Sequence, residues 1–401
     1  MTPWLAIVGL GEDGLQGLGH AARALVESAE VLVGGERHLA MVPEDGRERL
    51  AWSSPLEHLV EEIVRRRGQR ICVLATGDPM TYGIGATLAR YVPRKETFVV
   101  PAPSAFSLAA ARLGWGLAET ETLSLHGRPL ELLHAYLQPG ARLLVLCADG
   151  ATPGRVAGLL RERGYGGSRL TVLSHMGGPR EHIVENTAAE WDVPAVADFN
   201  TLAIACLAAP EAALLPRAPG LPDAAFRHDG QLTKREVRAA TLAALAPVPG
   251  QRLWDVGAGC GSVAIEWMRA ARRTEAVAVE HDRDRVALIA ANAAALGTPG
   301  LEIVAGEAPG ALADLAPPDA VFIGGGAAKD GLLKACWRAL SPGGRLVANA
   351  VTLEGEQALV AWREQVGGEL TRIAVSRAEP VGGLTGWRPL MAVTQLAVTR
   401  R

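Results

Sequence analysis

Short apolar runs alternate with helix-period patterns through the first half of the chain. Runs at 4–8, 31–33, 71–75, 98–100, 143–147, 170–173 and 202–207 read as strands. Helical patterns fall near 18–28, 55–67, 83–91, 104–113, 129–137 and 153–163. This alternation predicts a mostly parallel sheet covered by helices, and the stretch near 115–128 reads as a break between two sub-lobes. Pro210, Pro216, Pro219 and Pro222 then interrupt the pattern. Repeated proline resists both helix and central strand, so 210–222 reads as a semi-rigid linker. Beyond it a helix is predicted near 234–246, with strands at 252–256, 276–280, 301–304, 320–323 and 345–351. Helices fall between and after them, near 261–272, 283–296, 328–340 and 355–366. The last strand-like runs, near 370–377 and 389–398, are joined only by the Gly-rich stretch 381–386. A crossover helix does not fit there, so an antiparallel hairpin is expected. The expected domains are 1–209 and 223–401, joined at 210–222.

Composition agrees with that division. The chain has 401 residues, 49% hydrophobic and 21% charged, enough for buried cores and against global disorder. At roughly 100–200 residues per domain, two domains are the natural count. A net charge of −3 argues against a broad basic surface, so no nucleic-acid partner is expected. Cys72, Cys147, Cys206, Cys260 and Cys336 form no C-x-x-C pair and sit mostly in apolar runs. Reduced, mostly buried thiols in a cytoplasmic protein follow, with no metal site or disulfide framework. The first residues lack a basic n-region, and no run of 18 residues escapes charge, Gly or Pro. Neither a signal peptide nor a membrane span is expected. Only four basic residues are Lys; 36 are Arg. Codon bias accounts for most of that excess, and some of the forks suit carboxylates or phosphates.

The strongest motif is LWDVGAGCGSVAIEW, residues 253–267, where an apolar strand runs into a glycine-rich turn and then a helix. Gly257, Gly259 and Gly261 let the backbone turn sharply and approach a ligand, and the helix N-terminus supplies free N–H groups. The spacing is Gly-x-Gly-x-Gly, not the dinucleotide Gly-x-Gly-x-x-Gly. It suits S-adenosylmethionine, which has no pyrophosphate. Glu280 ends the next strand, nineteen residues after Gly261, where a carboxylate can accept both ribose hydroxyls. A parallel doubly wound sheet closed by an antiparallel hairpin is the layout of class I methyltransferases. In VAGEAPGAL (304–312), Glu307 and Ala308 sit either beside the adenine or, for Glu307, simply at a helix N-terminus. Thr233-Lys-Arg-Glu236 reads as a capping box, which does not exclude a place at the cofactor's methionine end. Gly324, Gly325 and Gly326 follow the fourth strand without the polar clamp an exocyclic amine needs. They leave room for a large flat substrate or form a flexible turn.

In the first half, Gly9, Gly11 and Gly14 spell the dinucleotide spacing of a nicotinamide site; Gly17 and Gly19 delay the helix and the second strand ends without an acid, while Glu36 just beyond it keeps that reading open. Asp78 is set in a turn by Gly77 and Pro79, and Ser104 follows two prolines as an N-cap. Of the nine histidines, His126 and His175 lie at strand ends here, and His228 and His281 flank the second site. A strand-end histidine is more often structural, so none is assigned to catalysis.

Taken together, these residues resemble a known family. The segments VGLGEDG, SAEVLVGGERHL, LATGDPMTYGIG, VPAPSAFSLAAARLGW, LHGRP, CADGATPGRV and FNTLAIAC are similar to a two-lobed tetrapyrrole (class III) methylase. The segments GLPDAAFRHDGQLTKREVR, WDVGAGCGSVAIEW, GEAPGAL, PDAVFIGGG, GGRLVANAVTLEGE and GWRPLMAVTQ are similar to a Rossmann-like, class I decarboxylating methylase. The pair in this order resembles the bifunctional precorrin-6B (precorrin-6Y) C(5,15)-methyltransferase (decarboxylating) family of cobalamin biosynthesis, over nearly the whole chain.

The resemblance implies an α/β enzyme with two S-adenosylmethionine sites. In the second half these fall on Thr233, on Gly257, Ala258, Gly259, Cys260 and Gly261, on Glu280 and on Ala308. In the first half they fall on Gly77, Asp78, Pro79 and Met80, on Ser104 and Ala105, and on Thr201, Leu202 and Ala203. Gly9 and Gly11, with Gly324 to Gly326 in the second half, would face the tetrapyrrole. Glu12 stands where the family often has proline, and Glu307 where it commonly has Asp. The implied reaction methylates carbons 5 and 15 and decarboxylates the ring-C acetate, giving precorrin-8X, with carbon 15 and the decarboxylation assigned to the second half. A homo-oligomer is implied as well. The sequence names no catalytic base. An RNA or protein methylase, or a non-catalytic sensor of cofactor or tetrapyrrole, are the other readings.

Overall fold

Strands that read as unbroken apolar runs are the ones that end up covered on both faces. The computed structural model describes residues 3–53 and 55–401. Two compact units emerge, the first built from the chain up to Arg128 plus Pro139–Ala213, the second from Pro129–Gln138 plus Leu214–Arg401.

The first lobe of unit one contains β1 (Leu5–Leu10), β2 (Val31–Gly34), β3 (Glu48–Ala51), β4 (Ile71–Thr76) and β5 (Thr97–Val100). They form an all-parallel sheet in the order β3-β2-β4-β1-β5. Helices α1 (His20–Ser28), α2 (Glu36–Ala40), α3 (Leu56–Arg65) and α4 (Ile84–Leu88) alternate with the strands. All six residues of β1 are buried. Leu5 and Ile7 share a core with Leu59, Val60 and Ile63 of α3, while Ala6, Val8 and Leu10 share another with Ala22 and Val26 of α1. That is the period-two split of a strand buried on both sides.

The second lobe holds α5 (Ala105–Leu113), β6 (Glu121–Ser124), β7 (Arg142–Leu146), α6 (Thr152–Glu162), β8 (Arg169–Ser174), β9 (His182–Thr187) and β10 (Asn200–Ala205). Its sheet order is β6-β7-β10-β8-β9. Only β6 and β7 are parallel; β10 runs antiparallel to both β7 and β8, and β9 antiparallel to β8. The mostly parallel pattern expected for this half therefore holds in its first lobe only. β8 and β9 are joined by a short loop rather than a crossover helix, and such a loop permits only antiparallel pairing.

Unit two contains α7 (Arg235–Leu245), β11 (Arg252–Val256), α8 (Ser262–Ala270), β12 (Glu275–Glu280), α9 (Arg283–Ala295), β13 (Glu302–Ala305) and β14 (Ala320–Ile323). It continues with α10 (Leu332–Ala339), β15 (Arg345–Ala350), α11 (Leu353–Val366), β16 (Glu369–Ile373), β17 (Ser376–Val381), β18 (Leu384–Pro389) and β19 (Val393–Thr399). The seven-stranded order is β13-β12-β11-β14-β15-β19-β16, parallel except for β19, which runs antiparallel to β15 and β16. The expected terminal hairpin is thus the β16–β19 pair. The chain between them forms a separate two-stranded ribbon, β17–β18, turning at Gly382 and Gly383, both at positive φ.

The proline-rich segment is anchored from Leu214 onward. Leu215 and Leu221 are buried among Leu242, Leu245 and Trp267. The N–H groups of Gly220 and Leu221 donate to the Glu266 carboxylate at 2.6 and 2.9 Å. The same carboxylate takes 2.6 Å from Nε of Arg238, a side chain with no exposure, whose guanidinium also lies 4.8 Å from the Phe226 ring centroid. Pro129–Gln138 belongs to unit two as well. Its 3-10 turn Leu130–Ala135 lies against α9, and Gln138 Nε2 donates to the Leu215 carbonyl at 2.9 Å.

One local expectation fails. Thr233 does not form a capping box: α7 begins at Arg235, its N-cap is Lys234, and no side chain bonds that end. Glu236 is drawn instead to Arg377 of β17 at 2.7 Å, and the Thr233 carbonyl accepts from Arg238. Ion pairs formed across the unit replace the local cap.

Candidate functional site

In unit two the glycine loop is held open by its own backbone. Gly257, Gly259 and Gly261 sit at φ +71°, +59° and +80°, the left-handed region that other residues adopt at a cost. Gly257 and Ala258 donate to the Val279 carbonyl at 3.0 and 3.2 Å, tying the turn to the end of β12. Glu280, at that end, is 3% exposed. Its carboxylate accepts from the N–H groups of Gly259 (2.9 Å), His281 (3.0 Å) and Asp282 (3.1 Å). Two carboxylate oxygens offer about four acceptor positions; two N–H groups lie on Oε1, with His281 Nδ1 also 3.0 Å from it, and one on Oε2, so a position on Oε2 remains for a hydroxyl. Gly306 donates to the Glu280 carbonyl (2.9 Å), which brings the loop carrying Ala308 alongside. Gly324 donates to the Val256 carbonyl (3.0 Å), and a Cβ on Gly257 would lie 3.5 Å from Gly325. The exposed run Gly324 to Gly326 therefore adjoins the loop. Cys260 is buried, its carbonyl taken by Asn292 Nδ2 at 2.9 Å and its thiol pushed up to about 11 by burial. Thr233 is half-buried on the approach to α7, and the nearby Gln231 carbonyl lies 3.5 Å from where a Gly259 Cβ would be. A glycine-rich turn whose Ala258 and Cys260 side chains are buried, a strand-end acid and an open glycine run fit an adenosyl sulfonium cofactor.

Beneath this loop lies Asp255, 1% exposed. Oδ2 accepts from the Ala264 N–H at 2.9 Å, and Oδ1 has no partner among the described residues. Burial first, and the Glu280 charge second, raise its pKa from 3.8 to about 7. The folded state therefore holds the proton more tightly than the unfolded chain. Stability from this group is complete below about pH 4 and is lost as pH rises through about 7. At about 1.4 kcal/mol per pH unit the loss approaches about 4 kcal/mol. Asp255→Asn is expected to melt close to wild type at pH 4 and above it at pH 8. Thermal melts across that range check this, and parallel curves for the two proteins would refute it.

In unit one, three loops converge. A Cβ on Gly9 would fall 1.9 Å from the Gly77 carbonyl oxygen and 2.6 Å from the Ala102 nitrogen. Gly77 donates to the Leu10 carbonyl at 2.8 Å, and Ala102 donates to the Gly77 carbonyl at 3.1 Å. Gly77, at φ +56°, starts a turn in which Asp78 accepts from the Met80 N–H (2.9 Å) and the Thr81 hydroxyl (2.8 Å). Ser104 caps α5, accepting from the Ser107 N–H at 3.1 Å, and Gly114 closes that helix at φ +66°. These loops border a cleft of about 1100 Å3. Gly11, Gly77, Asp78, Met80, Ser104, Ala105 and Thr201 line it; Gly9, Pro79, Leu202 and Ala203 do not. Leu202 and Ala203 lie in the second-lobe sheet at 0% and 1% exposure.

The cleft also gathers side chains that motif reading did not assign. Glu12, its side chain 6% exposed, pairs with Arg37 of α2 and lies 3.1 Å from His175 Nδ1 and 3.7 Å from Arg180. His38 and Thr76 meet at 3.0 Å, and the Arg37 guanidinium lies 4.3 Å from the Phe199 ring centroid. Burial and Arg37 lower the His38 pKa to about 4, so this ring is neutral. The one sequence signal for this cluster was an acid, Glu12, inside a glycine loop.

The five cysteines are all buried and free. Among the described residues no group of three or more His, Cys, Asp or Glu could hold a metal ion, and no helix is long and apolar enough to cross a membrane.

Comparison with known proteins gives this geometry a lineage. The family model of tetrapyrrole (corrin/porphyrin) methylases matches residues 5–192, and that of the precorrin methyltransferase domain matches residues 224–400. Fold and sites thus define a tetrapyrrole methylase joined to a class I methyltransferase, an S-adenosylmethionine-dependent enzyme. A Sinorhizobium protein named precorrin-6Y C(5,15)-methyltransferase (decarboxylating) is 50% identical over 401 residues, spanning 100% of this chain and 97% of its own. A Mycobacterium tuberculosis protein of the same name is 43% identical over 402 residues, spanning 99% of this chain and 100% of its own. The crystal structure of the C-terminal domain of precorrin-6Y C5,15-methyltransferase from Rhodobacter capsulatus is 46% identical, covers 46% of this chain and 100% of that one, and has a TM-score of 0.44. The chain belongs to the precorrin-6Y C(5,15)-methyltransferase (decarboxylating) family.

Proposed function

We propose that the chain methylates precorrin-6B at carbons 5 and 15 and decarboxylates the ring-C acetate, yielding precorrin-8X in the cytoplasm. The observation that carries this reading is the full-length relative of that name, which matches the chain through both halves. Unit one takes carbon 5; unit two takes carbon 15 and the decarboxylation. Two S-adenosylmethionine sites per chain are supported by two separate loop systems, Gly77 to Met80 with Ser104, and Gly257 to Gly261 with Glu280. When bound, the cofactor supplies an electrophilic methyl group on sulfonium sulfur.

The residues of the chain do the aligning. Glu280 holds the ribose edge, and the glycine turns admit the cofactor without side-chain obstruction. Gly324 to Gly326 leave a flat approach for the macrocycle, and the Gly11–Glu12 loop faces it in unit one. Arg90 and Arg128 line the cleft, with the Arg128 guanidinium 5.2 Å from the Tyr82 ring centroid. Both are placed to receive substrate carboxylates. The β17–β18 ribbon supports a homo-oligomer: it exposes Leu384 and Trp387 at 79% and 77%, an apolar surface that a second copy would cover.

Anaerobic incubation with precorrin-6B and labelled cofactor, read by mass spectrometry, is the deciding experiment. The expected product has gained two methyls and lost one carbon dioxide. Absence of both changes would sink the proposal, and methylation of RNA or protein in its place would favour the other class. Calorimetry on the intact chain is expected to find two cofactor sites.

A further inference from the structure

Resting on the reading of unit one as the carbon-5 methylase, we propose that His175 is the general base that removes the proton from carbon 5, with Glu12 as the positioning residue behind its ring. Both residues line the cleft. His175 Nδ1 lies 3.1 Å from Glu12 Oε2. With the carboxylate as acceptor, Nδ1 carries the hydrogen, and Nε2 presents the lone pair. Their surroundings fix this pair. His175 is a non-glycine residue held at φ +49°, with its N–H bonded to the Phe199 carbonyl at 3.2 Å. Such strain persists only where the surroundings over-determine it. A Cβ on Gly178 would come within 2.6 Å of the Glu12 Cβ, so the histidine loop closes directly onto the acid.

The charged groups around the ring are Glu12 from the loop after β1, Arg37 from α2, and Arg180 from its own loop. Glu181, on that same loop, is turned away into a paired contact with Arg112 at 2.5 and 2.9 Å. Burial, then Arg180 and Arg37, lower the His175 pKa, so the ring is neutral and able to accept a proton at pH 7. Once protonated, it is balanced by the Glu12 carboxylate, the orienting role a third group gives a base elsewhere.

The step balances without another reagent. As the bond from methyl carbon to carbon 5 forms, sulfur keeps the electron pair of the broken S–C bond. The pair of the carbon-5 C–H bond then returns to the conjugated ring, and its proton passes to His175 Nε2. Solvent later takes that proton.

His175→Gln in the full chain, given precorrin-6B anaerobically, is expected to yield a macrocycle that has lost carbon dioxide and gained one methyl. The second methyl should be slowed by about 100-fold or more. A second methyl arriving within about threefold of the wild-type rate would overturn the assignment. If the wild-type chain itself adds no methyl and releases no carbon dioxide, it is the proposed function that fails, not the base. A second variant gives a readout independent of turnover. In Glu12→Gln, the NMR titration midpoint of His175 in the cofactor-free chain should move to lower pH, because the arginines remain and the anion is gone. The acid limb of carbon-5 kcat/KM should move with it. An unmoved midpoint would refute the coupling, even if His175→Gln were to fold poorly.

Discussion

Glu266→Ala is expected to cost unit two about 3–5 kcal/mol, the range for removing one partner of a buried pair. The Glu266 carboxylate answers three donors at once: Nε of Arg238 and the N–H groups of Gly220 and Leu221. Without it the Arg238 guanidinium, fully buried, keeps Asp223 at 3.2 Å as its one carboxylate partner among the described residues. At roughly 2–4 °C per kcal/mol for a unit of this size, its melting transition should fall by about 10 °C. Calorimetric scans of the intact chain, with one transition assigned to each unit, measure this. A fall below 2 °C would show that the pair is replaceable. Cutting the chain at residue 223 should produce a similar loss, since the donors at Gly220 and Leu221 go with the removed piece. A fragment beginning at Leu214 should be the more stable of the two.

Gly9→Ala is expected to have the largest effect in unit one. Its new methyl would collide with the Gly77 carbonyl oxygen and the Ala102 nitrogen, both of them backbone atoms in neighbouring loops. No rotamer relieves a backbone collision, so β1, β4 and the approach to α5 would have to separate. A loss above about 4 kcal/mol follows, among the large values that single substitutions give. The unit-one transition should disappear or fall by more than 10 °C, roughly in proportion to that loss, and calorimetry should lose one cofactor site. The unit-two transition should be unmoved. A variant melting like wild type would mean that the loops are free to part.

Which elements the sequence revealed follows from where they sit. The central strands β1, β4, β7, β8 and β10 are covered on both faces and read as apolar runs. The strands that escaped notice, β3, β6 and β9, are all sheet edges. No residue of β9 is buried, His182, Ile183 and Glu185 being exposed and the rest half-buried, and an edge strand with one wet side has no apolar run to show. The β17–β18 ribbon merges with its neighbours in the sequence pattern for the same reason. Glycine loops were legible because a left-handed turn or a close approach excludes other residues. The Glu12–His175 contact was not: 163 residues separate its partners, and each alone looks like an ordinary surface group. The cap that local spacing predicts at Thr233 fails for the same cause, since the partner of Glu236 lies 141 residues away.

The short excursion Pro129–Gln138 bears on how the protein is made. A ribosome delivers Leu133, fully buried in the finished molecule, some 150 residues before α9, the helix its turn packs on. Unit one has all its strands once Ala205 has emerged, yet this apolar loop must wait for the rest of the chain. During that interval it is a sticky segment on an otherwise completed body, the kind of surface that chaperones cover. Translation that stalls between Ala213 and α9 would therefore leave a nascent chain prone to clump.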